Sequence, residues 1–456
     1  MSRAISEFSA RLWWRRILRR GGRSWAELEL FPKLHPSEQR RLLAARLLSQ
    51  LRYFGGREDA LPEWCEAARI TDPDELWRVW PSLPILDKAT LRKRFEPQEM
   101  KTRFGLEGKL DSTGGSTGEP THFLHDPEMS RAGTAARYYA RLQMGWRAGM
   151  PTVIVWGSER DIGKTTAWRT RLYLELCRDY VVDGYHLSPR TVERVLTLIR
   201  REKAVAICGF SSMLEYVARQ ILETNASVPS GIVKTAWNGG EMLFSEQSSV
   251  FRSAFGVPIL NCYGGRELSV MACQFQSDQD LRVLRPWLFV EIVDQNGNPA
   301  KTGEPGRMLW TSTICRGTPF LRYDVGDLAS YSAGGLDESG IHTIGALQGR
   351  TASLLTLPDG RVINNLFWNH LFKDFSEVEQ FQVVVRNPVS SELRILLRGN
   401  GFSPDREAQC RKVLTNLLGD IPKQFVWVQQ IPRTTQGKLL QVIREDSAPY
   451  SESHKE

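Results

Sequence analysis

Histidine is scarce in this chain, with seven residues, and they are scattered without the spacing of a metal site. Cysteine is also thin: there are seven, an odd number, and the closest two, Cys262 and Cys273, fit no short zinc or redox motif. That excludes a disulfide framework and points to reduced thiols in a cytoplasmic protein. There is no apolar run long enough for a transmembrane span or the core of a signal peptide. Surplus charge is missing from most of the chain as well. The net charge is +8, but residues 1–24 carry seven arginines against one acid, which leaves +2 for everything else. A body so nearly neutral argues against a nucleic-acid partner. A Walker-type P-loop is suggested by Gly163-Lys164-Thr165-Thr166, yet five residues separate Gly157 from Gly163 where the motif needs four. Glu159 and Asp161 would also repel phosphate there. A P-loop kinase acting through Lys164 is therefore only a third reading.

What the sequence does have is a soluble composition, 41% hydrophobic and 25% charged, over 456 residues, enough for two or three domains. It also has one unusual stretch, Asp111-Ser112-Thr113-Gly114-Gly115-Ser116-Thr117-Gly118-Glu119-Pro120-Thr121. Between Ser112 and Gly118 there are three glycines and four hydroxyl side chains. Glycines let backbone N–H groups converge on an anion, and the hydroxyls add compact donors, so the pattern suits a polyphosphate nest. A Ser/Gly linker has the same composition. The extended, partly apolar flanks and the stiff Pro120 favour a loop joining two strands.

Along the chain, Arg11 to Arg20 sets Trp13, Trp14, Ile17 and Leu18 on one helical face with arginines around them. Either this helix rests on anionic lipid, or it docks its tryptophans onto the protein body; docking is the preferred reading. Helical periodicity occupies residues 36–56 and 73–80. Pro81 to Lys88 forms a connector into a short helix from Ala89 to Arg94. Asp126 caps a helix starting at Pro127 and running to about Met144. A buried strand is expected over Pro151–Trp156. From residue 204 strands (Ala204–Cys208, Gly231–Ala236, Pro258–Cys262) alternate with helices (Ser212–Glu223, about Glu246–Phe255), which predicts a parallel sheet with crossover helices. Ligands bind at the carboxyl ends of such strands. Trp237-Asn238-Gly239-Gly240-Glu241 and Tyr263-Gly264-Gly265-Arg266-Glu267 stand at two of those ends and read as site loops. A β-rich subdomain follows from Trp287 and closes at Arg322-Tyr323-Asp324-Val325-Gly326-Asp327. The boundary is set at Gly349-Arg350. Beyond it come strands at Phe381–Val385, Leu393–Leu397 and Phe425–Gln429, a helix over about 404–418 capped by Ser403, and a polar tail.

Ser112 to Pro120 resembles the signature loop of the adenylate-forming superfamily, which includes acyl-CoA synthetases, luciferases and adenylation domains of peptide synthetases. It is most similar to the phenylacetate-CoA-ligase-like branch with its capsular-polysaccharide-associated members, as is the upstream Leu83-Pro84-Ile85-Leu86-x-Lys88. The other motifs occur in the family's order. The resemblance implies an α/β fold: a large N-terminal domain (1–349) of parallel sheets with crossover helices and a β-rich subdomain, then a small mobile α+β domain (350–456). It implies that Ser112, Thr113, Gly114, Gly115, Ser116, Thr117 and Gly118 cradle the ATP phosphates, with Thr117 at the reacting group. Gly239, Gly240 and Glu241 would border adenine, and Tyr263 and Gly264 would pack on it. Glu267 would hold Mg²⁺, Asp327 the ribose hydroxyls, and Arg350 a second ribose and phosphate contact. Lys438, in Gln436-Gly437-Lys438-Leu439, would reach the α-phosphate and the substrate carboxylate and offset their charge. Trp237, Asn238, Gly265 and Arg266 are candidates for the acyl pocket.

Three departures stand out. Glu119 occupies a position that often holds lysine, Arg266 replaces the usual threonine beside Glu267, and Ala352 replaces a charged hinge residue. Some relatives hold zinc after the Tyr-Gly motif; with only Cys273 retained and Arg282 near the expected histidine, no zinc is predicted here. The expected activity is ATP- and Mg²⁺-dependent conversion of a carboxylic acid to an acyl-adenylate with release of pyrophosphate. Transfer to a thiol such as CoA, a carrier protein, an amine or a sugar hydroxyl would follow. The alternative is a non-catalytic nucleotide-binding scaffold at a membrane-associated assembly, with residues 11–20 touching the membrane.

Overall fold

The computed structural model describes residue 14 and residues 22–113, 121–156, 168–184, 187–276, 278–336, 342–350, 355–356, 362–363, 368, 371–372, 374–375, 377–387, 392–419, 421–433 and 439–444. The chain divides into two compact units. The first takes residues up to Thr113, Thr121–Val325 and Ala329–Leu347; the second takes Gly326–Leu328 and Gln348 onward.

In the first unit, β1 (Lys109–Ser112) and β2 (His122–His125) form an antiparallel hairpin in which Asp111 faces Phe123 and Lys109 faces His125. Asp126 caps the helix Pro127–Gln143 as expected: its Oδ1 accepts from the Met129 amide at 2.8 Å. Its Oδ2 accepts from the Arg316 amide at 2.6 Å, so one carboxylate also ties down a distant loop.

The parallel sheet comprises β3 (Thr152–Trp156), β4 (Asp179–Asp183), β5 (Val205–Gly209), β6 (Val233–Asn238) and β7 (Ile259–Leu260), in the order β4-β3-β5-β6-β7. Its central strands are near-continuously apolar because helices cover them: Val153, Val155, Val205, Ile207 and Val233 are all buried. The helix Pro189–Arg200 turns Val192, Val195, Leu196 and Ile199 inward, the i, i+3, i+4, i+7 stripe of a core-facing helix. Each such side chain contributes roughly 1.5–3 kcal/mol on burial.

The strand expected over Pro258–Cys262 is in fact two. It breaks at Asn261: β7 ends the parallel sheet, and β8 (Cys262–Gly265) joins a different one. The cause is local. Asn238 Oδ1 accepts from the Cys262 amide at 2.9 Å, and the Asn261 carbonyl accepts from Gln274 N at 2.8 Å, turning the backbone toward its new partner. That partner is β9 (Ser269–Gln274). With β10 (Leu281–Val283), β11 (Leu288–Val293), β12 (Gly306–Ser312), β13 (Tyr323–Leu336) and β14 (His342–Arg350), these strands make a seven-stranded sheet in the order β11-β12-β13-β14-β10-β9-β8. Tyr263, Gly264 and Gly265 are thus edge-strand residues rather than loop residues.

The second unit is α+β. After the short pair β15 (Leu355–Thr356) and β16 (Val362–Ile363), it has a four-stranded sheet. The sheet contains β17 (Val378–Asn387), β18 (Glu392–Gly399), β19 (Lys423–Trp427) and β20 (Val442–Arg444), in the order β19-β18-β17-β20. Val383, Val385, Leu393, Ile395 and Leu397 pack with Cys410, Leu414 and Leu418 of the helix Pro404–Leu418. Ser403 caps that helix, its Oγ accepting from the Arg406 amide at 3.3 Å. The architecture is the α/β fold expected, with a parallel sheet and crossover helices, a β-rich part and a smaller α+β unit.

At the N-terminal end, Trp14 packs edge-on against Trp25, Tyr138 and Trp146 at ring-centroid distances of 5.8, 5.1 and 5.3 Å. This contact favours the docked reading of the helix expected over 11–20, whose other residues lie outside those described. Among the described residues, no helix is long and apolar enough to cross a membrane.

The connector before Lys88 is pinned at a buried ion pair. Arg322 Nε donates to Glu291 Oε2 at 3.2 Å, and its Nη2 lies 3.1 Å from Oε1. Arg322 Nη1 donates to the carbonyls of Pro81 (2.6 Å) and Leu83, while Trp80 Nε1 donates to Glu291 at 2.9 Å. Leu86 then bridges Tyr323, donating to the Arg322 carbonyl at 3.1 Å and accepting from Asp324 N at 2.8 Å. Arg322→Met would strand the Glu291 charge and release this connector. It is expected to destabilise the first unit by about 3–5 kcal/mol, read by denaturant unfolding, with Arg322→Met/Glu291→Met recovering part of the loss.

Candidate active site

The two motif segments at the sheet ends differ in what their side chains do. In the Trp237–Glu241 segment, Asn238 is buried and its amide is used inside the protein. Nδ2 donates to Ser211 Oγ (3.0 Å) and to the Glu241 carbonyl (2.9 Å), while Oδ1 accepts from Cys262 N. Glu241 Oε2 in turn accepts from Ser212 N at 3.0 Å, in the first turn of the helix Ser211–Glu223, where carboxylates are favoured. Trp237 is buried, 5.8 Å from the Arg141 guanidinium, which is itself ion-paired with Asp179 at 3.1 Å. Gly240 sits at φ +74°, a conformation that glycine takes without strain. The segment knits β5, β6 and β8 together, and Gly239, stacked near Trp156, gives it a small surface.

The Tyr263–Glu267 segment presents its side chains differently. The Tyr263 ring stacks on buried Trp310 at 5.9 Å and 26° between planes. A side chain at Gly265 would displace the Glu267 carboxylate, since a Cβ there would come within 2.9 Å of Oε2. Glu267 Oε1 accepts from Tyr323 Oη at 3.4 Å, and the Glu267 carbonyl lies 2.6 Å from His125 Nε2. Arg266 Nη1 is 3.8 Å from Asp111 Oδ1. The residue that departs from the family pattern thus directs its charge to the strand that leads into the glycine-rich stretch.

In that stretch the hairpin is closed by reciprocal bonds. Thr113 N donates to the Thr121 carbonyl, and Thr121 N donates to Thr113 Oγ1, both at 2.9 Å. The Thr113 hydroxyl therefore accepts a bond at the base of the loop, and Ser112 is buried one residue earlier. Gly114, Gly115, Ser116, Thr117, Gly118 and Glu119 lie outside the described residues, as do Lys164, Ala352 and Lys438.

In the second unit, Asp327 Oδ1 and Arg350 Nε form an ion pair at 2.9 Å, half-exposed on the guanidinium side. Residues on either side of the segment that contains Lys438 are held by one side chain: buried Gln382 Nε2 donates to the Leu440 carbonyl (2.8 Å) and to that of Pro432 (3.5 Å). Ile431 and Leu439 pack on Val384 and Leu396.

Among the described residues, no three His, Cys, Asp or Glu side chains gather where a metal could be held by protein alone. A single carboxylate such as Glu267 fits magnesium, which keeps waters and arrives with phosphate oxygens. Burial pushes the Cys208 and Cys262 thiols up to about 12, so neither is a ready nucleophile at neutral pH. His125, Tyr323 and Gln382 were not singled out as site residues from sequence. Tyr323 belongs to a recognised motif; the other two carry no local signal, since their partners are distant in the chain.

Residues 177–315 match the model of the AMP-binding enzyme family. No curated protein matches the chain. Among solved structures, a 2-hydroxyisobutyryl-CoA ligase in the postadenylation state is 18% identical, with a TM-score of 0.66 and 90% of each chain covered. The amide bond synthetase McbA of Marinactinospora thermotolerans is 20% identical, with a TM-score of 0.51 over 73% of this chain and 66% of its own. ATP-bound MatB of Rhodopseudomonas palustris is 14% identical, with a TM-score of 0.53 over 74% and 66%. The fold is thus that of adenylate-forming enzymes, and the family match supports the AMP-binding enzyme superfamily.

Gln382→Leu keeps the volume of the side chain but removes its bonds to residues 432 and 440. It is expected to speed tryptic cleavage after Arg433 and Lys438 by about fivefold or more, followed by mass spectrometry, with cleavage elsewhere unchanged.

Proposed function

We propose that the protein activates a carboxylic acid with Mg·ATP, forming an acyl-adenylate and pyrophosphate, and then passes the acyl group to an acceptor. The observation that carries this reading is the meeting of two motifs far apart in sequence. The turn bearing Glu267 is bridged by Arg266 to Asp111, at the foot of the glycine-rich stretch. Bound magnesium would screen the phosphate charge at Glu267. The substrate carboxylate oxygen attacks the α-phosphorus, the bond to the bridging oxygen breaks, and pyrophosphate leaves with that electron pair. Ser112, Thr113, Ser116, Thr117 and the backbone of Gly114, Gly115 and Gly118 would hold the phosphates. Tyr263 and Gly264, with Gly239, Gly240 and Glu241, would border the base. Asp327 would accept from the ribose hydroxyls beside Arg350. Lys438 would bring a positive charge to the α-phosphate and the carboxylate, a role in electrostatic stabilisation rather than proton transfer. Residues 1–349 would form the ATP and carboxylate domain and residues 350–456 a small lid that delivers Lys438.

The acceptor is a thiol, with CoA the first candidate, or an amine, a carrier protein or a sugar hydroxyl. Solved neighbours include both CoA ligases and an amide bond synthetase, which keeps thiol and amine in view. The phenylacetate-CoA-ligase-like branch is proposed from the loop and from Leu83 to Lys88, the stretch that contacts Arg322 and Tyr323. Of the features that motivated the scaffold alternative, Arg266 faces Asp111 and Trp14 packs on Tyr138 and Trp146. The catalytic reading is therefore preferred.

Carboxylate-dependent ATP–pyrophosphate exchange, screened across an acid library with product mass identification, tests the proposal. Lys438→Ala should lower exchange by about 10²–10³, the usual cost of losing one transition-state charge contact. Full exchange in that variant would remove the assigned mechanism, and ATP binding without exchange for any acid would favour the scaffold.

A further inference from the structure

We propose that His125 is a positioning residue for Glu267, fixing the carboxylate through the backbone of the same residue. The inference rests on the reading of Glu267 as the magnesium-side carboxylate. His125 ends β2, and its Nε2 lies 2.6 Å from the Glu267 carbonyl oxygen. A carbonyl only accepts, so Nε2 carries the proton. The imidazole ring leans on buried Phe123, centroid to centroid 4.8 Å, which restricts the ring to a plane from which this bond is made.

The rest of Glu267 is constrained as well. Tyr323 Oη approaches Oε1 at 3.4 Å, and the absence of a side chain at Gly265 leaves the room beside Oε2. Two residues on, Ser269 holds φ +63°, and its hydroxyl donates to the Gly133 carbonyl at 3.2 Å, so the turn is anchored beyond Glu267 too. His125 supplies the anchor at Glu267 itself. It comes from the same hairpin whose other strand offers Asp111 to Arg266. Two side-chain bridges from β1 and β2 therefore grip consecutive residues, 266 and 267. Without the histidine bond, the Glu267 peptide loses this tether, and the carboxylate is presented less consistently to a metal–phosphate ligand. The loss should be felt by Mg·ATP and not by ATP alone.

The experiment is calorimetric titration of the full chain with ATP, once with Mg²⁺ and once with EDTA. Wild type is expected to bind ATP more tightly with Mg²⁺. His125→Phe keeps the ring packing and removes the donor; it should lower Mg·ATP affinity by about tenfold and leave metal-free ATP binding unchanged. His125→Gln, which retains an N–H donor, should recover most of the loss. If His125→Phe does not fold, His125→Asn, whose amide is too short to reach the carbonyl, takes its place. Equal Mg·ATP affinity in the donor-less variant and wild type overturns the proposal, and so does an equal loss with and without Mg²⁺. Wild-type protein without any Mg²⁺-dependent ATP binding overturns the functional reading, and this inference with it.

Discussion

The buried pair between Arg322 and Glu291 is the constraint on which the candidate-site side of the first unit depends. Two charges withdrawn from water are costly unless their remaining hydrogen-bonding capacity is used. Here much of it is used: by Trp80 on the acid, and by the carbonyls of Pro81 and Leu83 on Nη1 of the guanidinium. The result is more than a satisfied ion pair. Residues 80–86 are drawn against the first residues of β13, and Leu86 becomes a short parallel partner of Tyr323. Tyr323 then meets Glu267, and Asp324 meets Arg307 at 3.0 Å. An apolar pair of the same volume would fill the space, but it would not select these carbonyls.

A second node lies at Asn238. One amide group binds the ends of three segments: the start of the helix Ser211–Glu223, the Glu241 backbone and the first residue of β8. Because its oxygen takes the Cys262 amide, the chain leaves the parallel sheet at Asn261 and enters the antiparallel one. The two sheets of the first unit are joined by this change of partner. It also decides that Tyr263 stacks on Trp310 of the second sheet rather than continuing the first.

Much of the fold could be read from the residues. The alternation after residue 204 gave the parallel sheet, Asp126 before Pro127 marked a helix start, and the apolar runs near 381, 393 and 425 were strands of the smaller unit. Other elements were hidden for definable reasons. The strand Asp179–Asp183 has charges at both ends and begins with an acid whose burial is tolerated only because Arg141 lies beside it. The helices Pro62–Ala67 and Pro97–Arg103 span fewer than two turns, too few for periodicity to show. The break at Asn261 depends on a side chain that arrives from another strand. For the candidate site, the motif residues could be picked out because their spacing within each turn is local. The contact of Arg266 could not: its partner Asp111 lies 155 positions earlier and is brought near only by folding.

The aromatic contacts of Trp14 have a spectroscopic consequence. Its indole meets two other indoles, Trp25 at 86° and Trp146 at 69°, together with the phenol of Tyr138 at 67°. Chromophores this close and steeply inclined couple their strong transition moments, so the far-ultraviolet dichroism of the folded chain should carry an exciton couplet. The couplet would collapse whenever the leading segment lifts away, making an optical gauge of its attachment that needs no label.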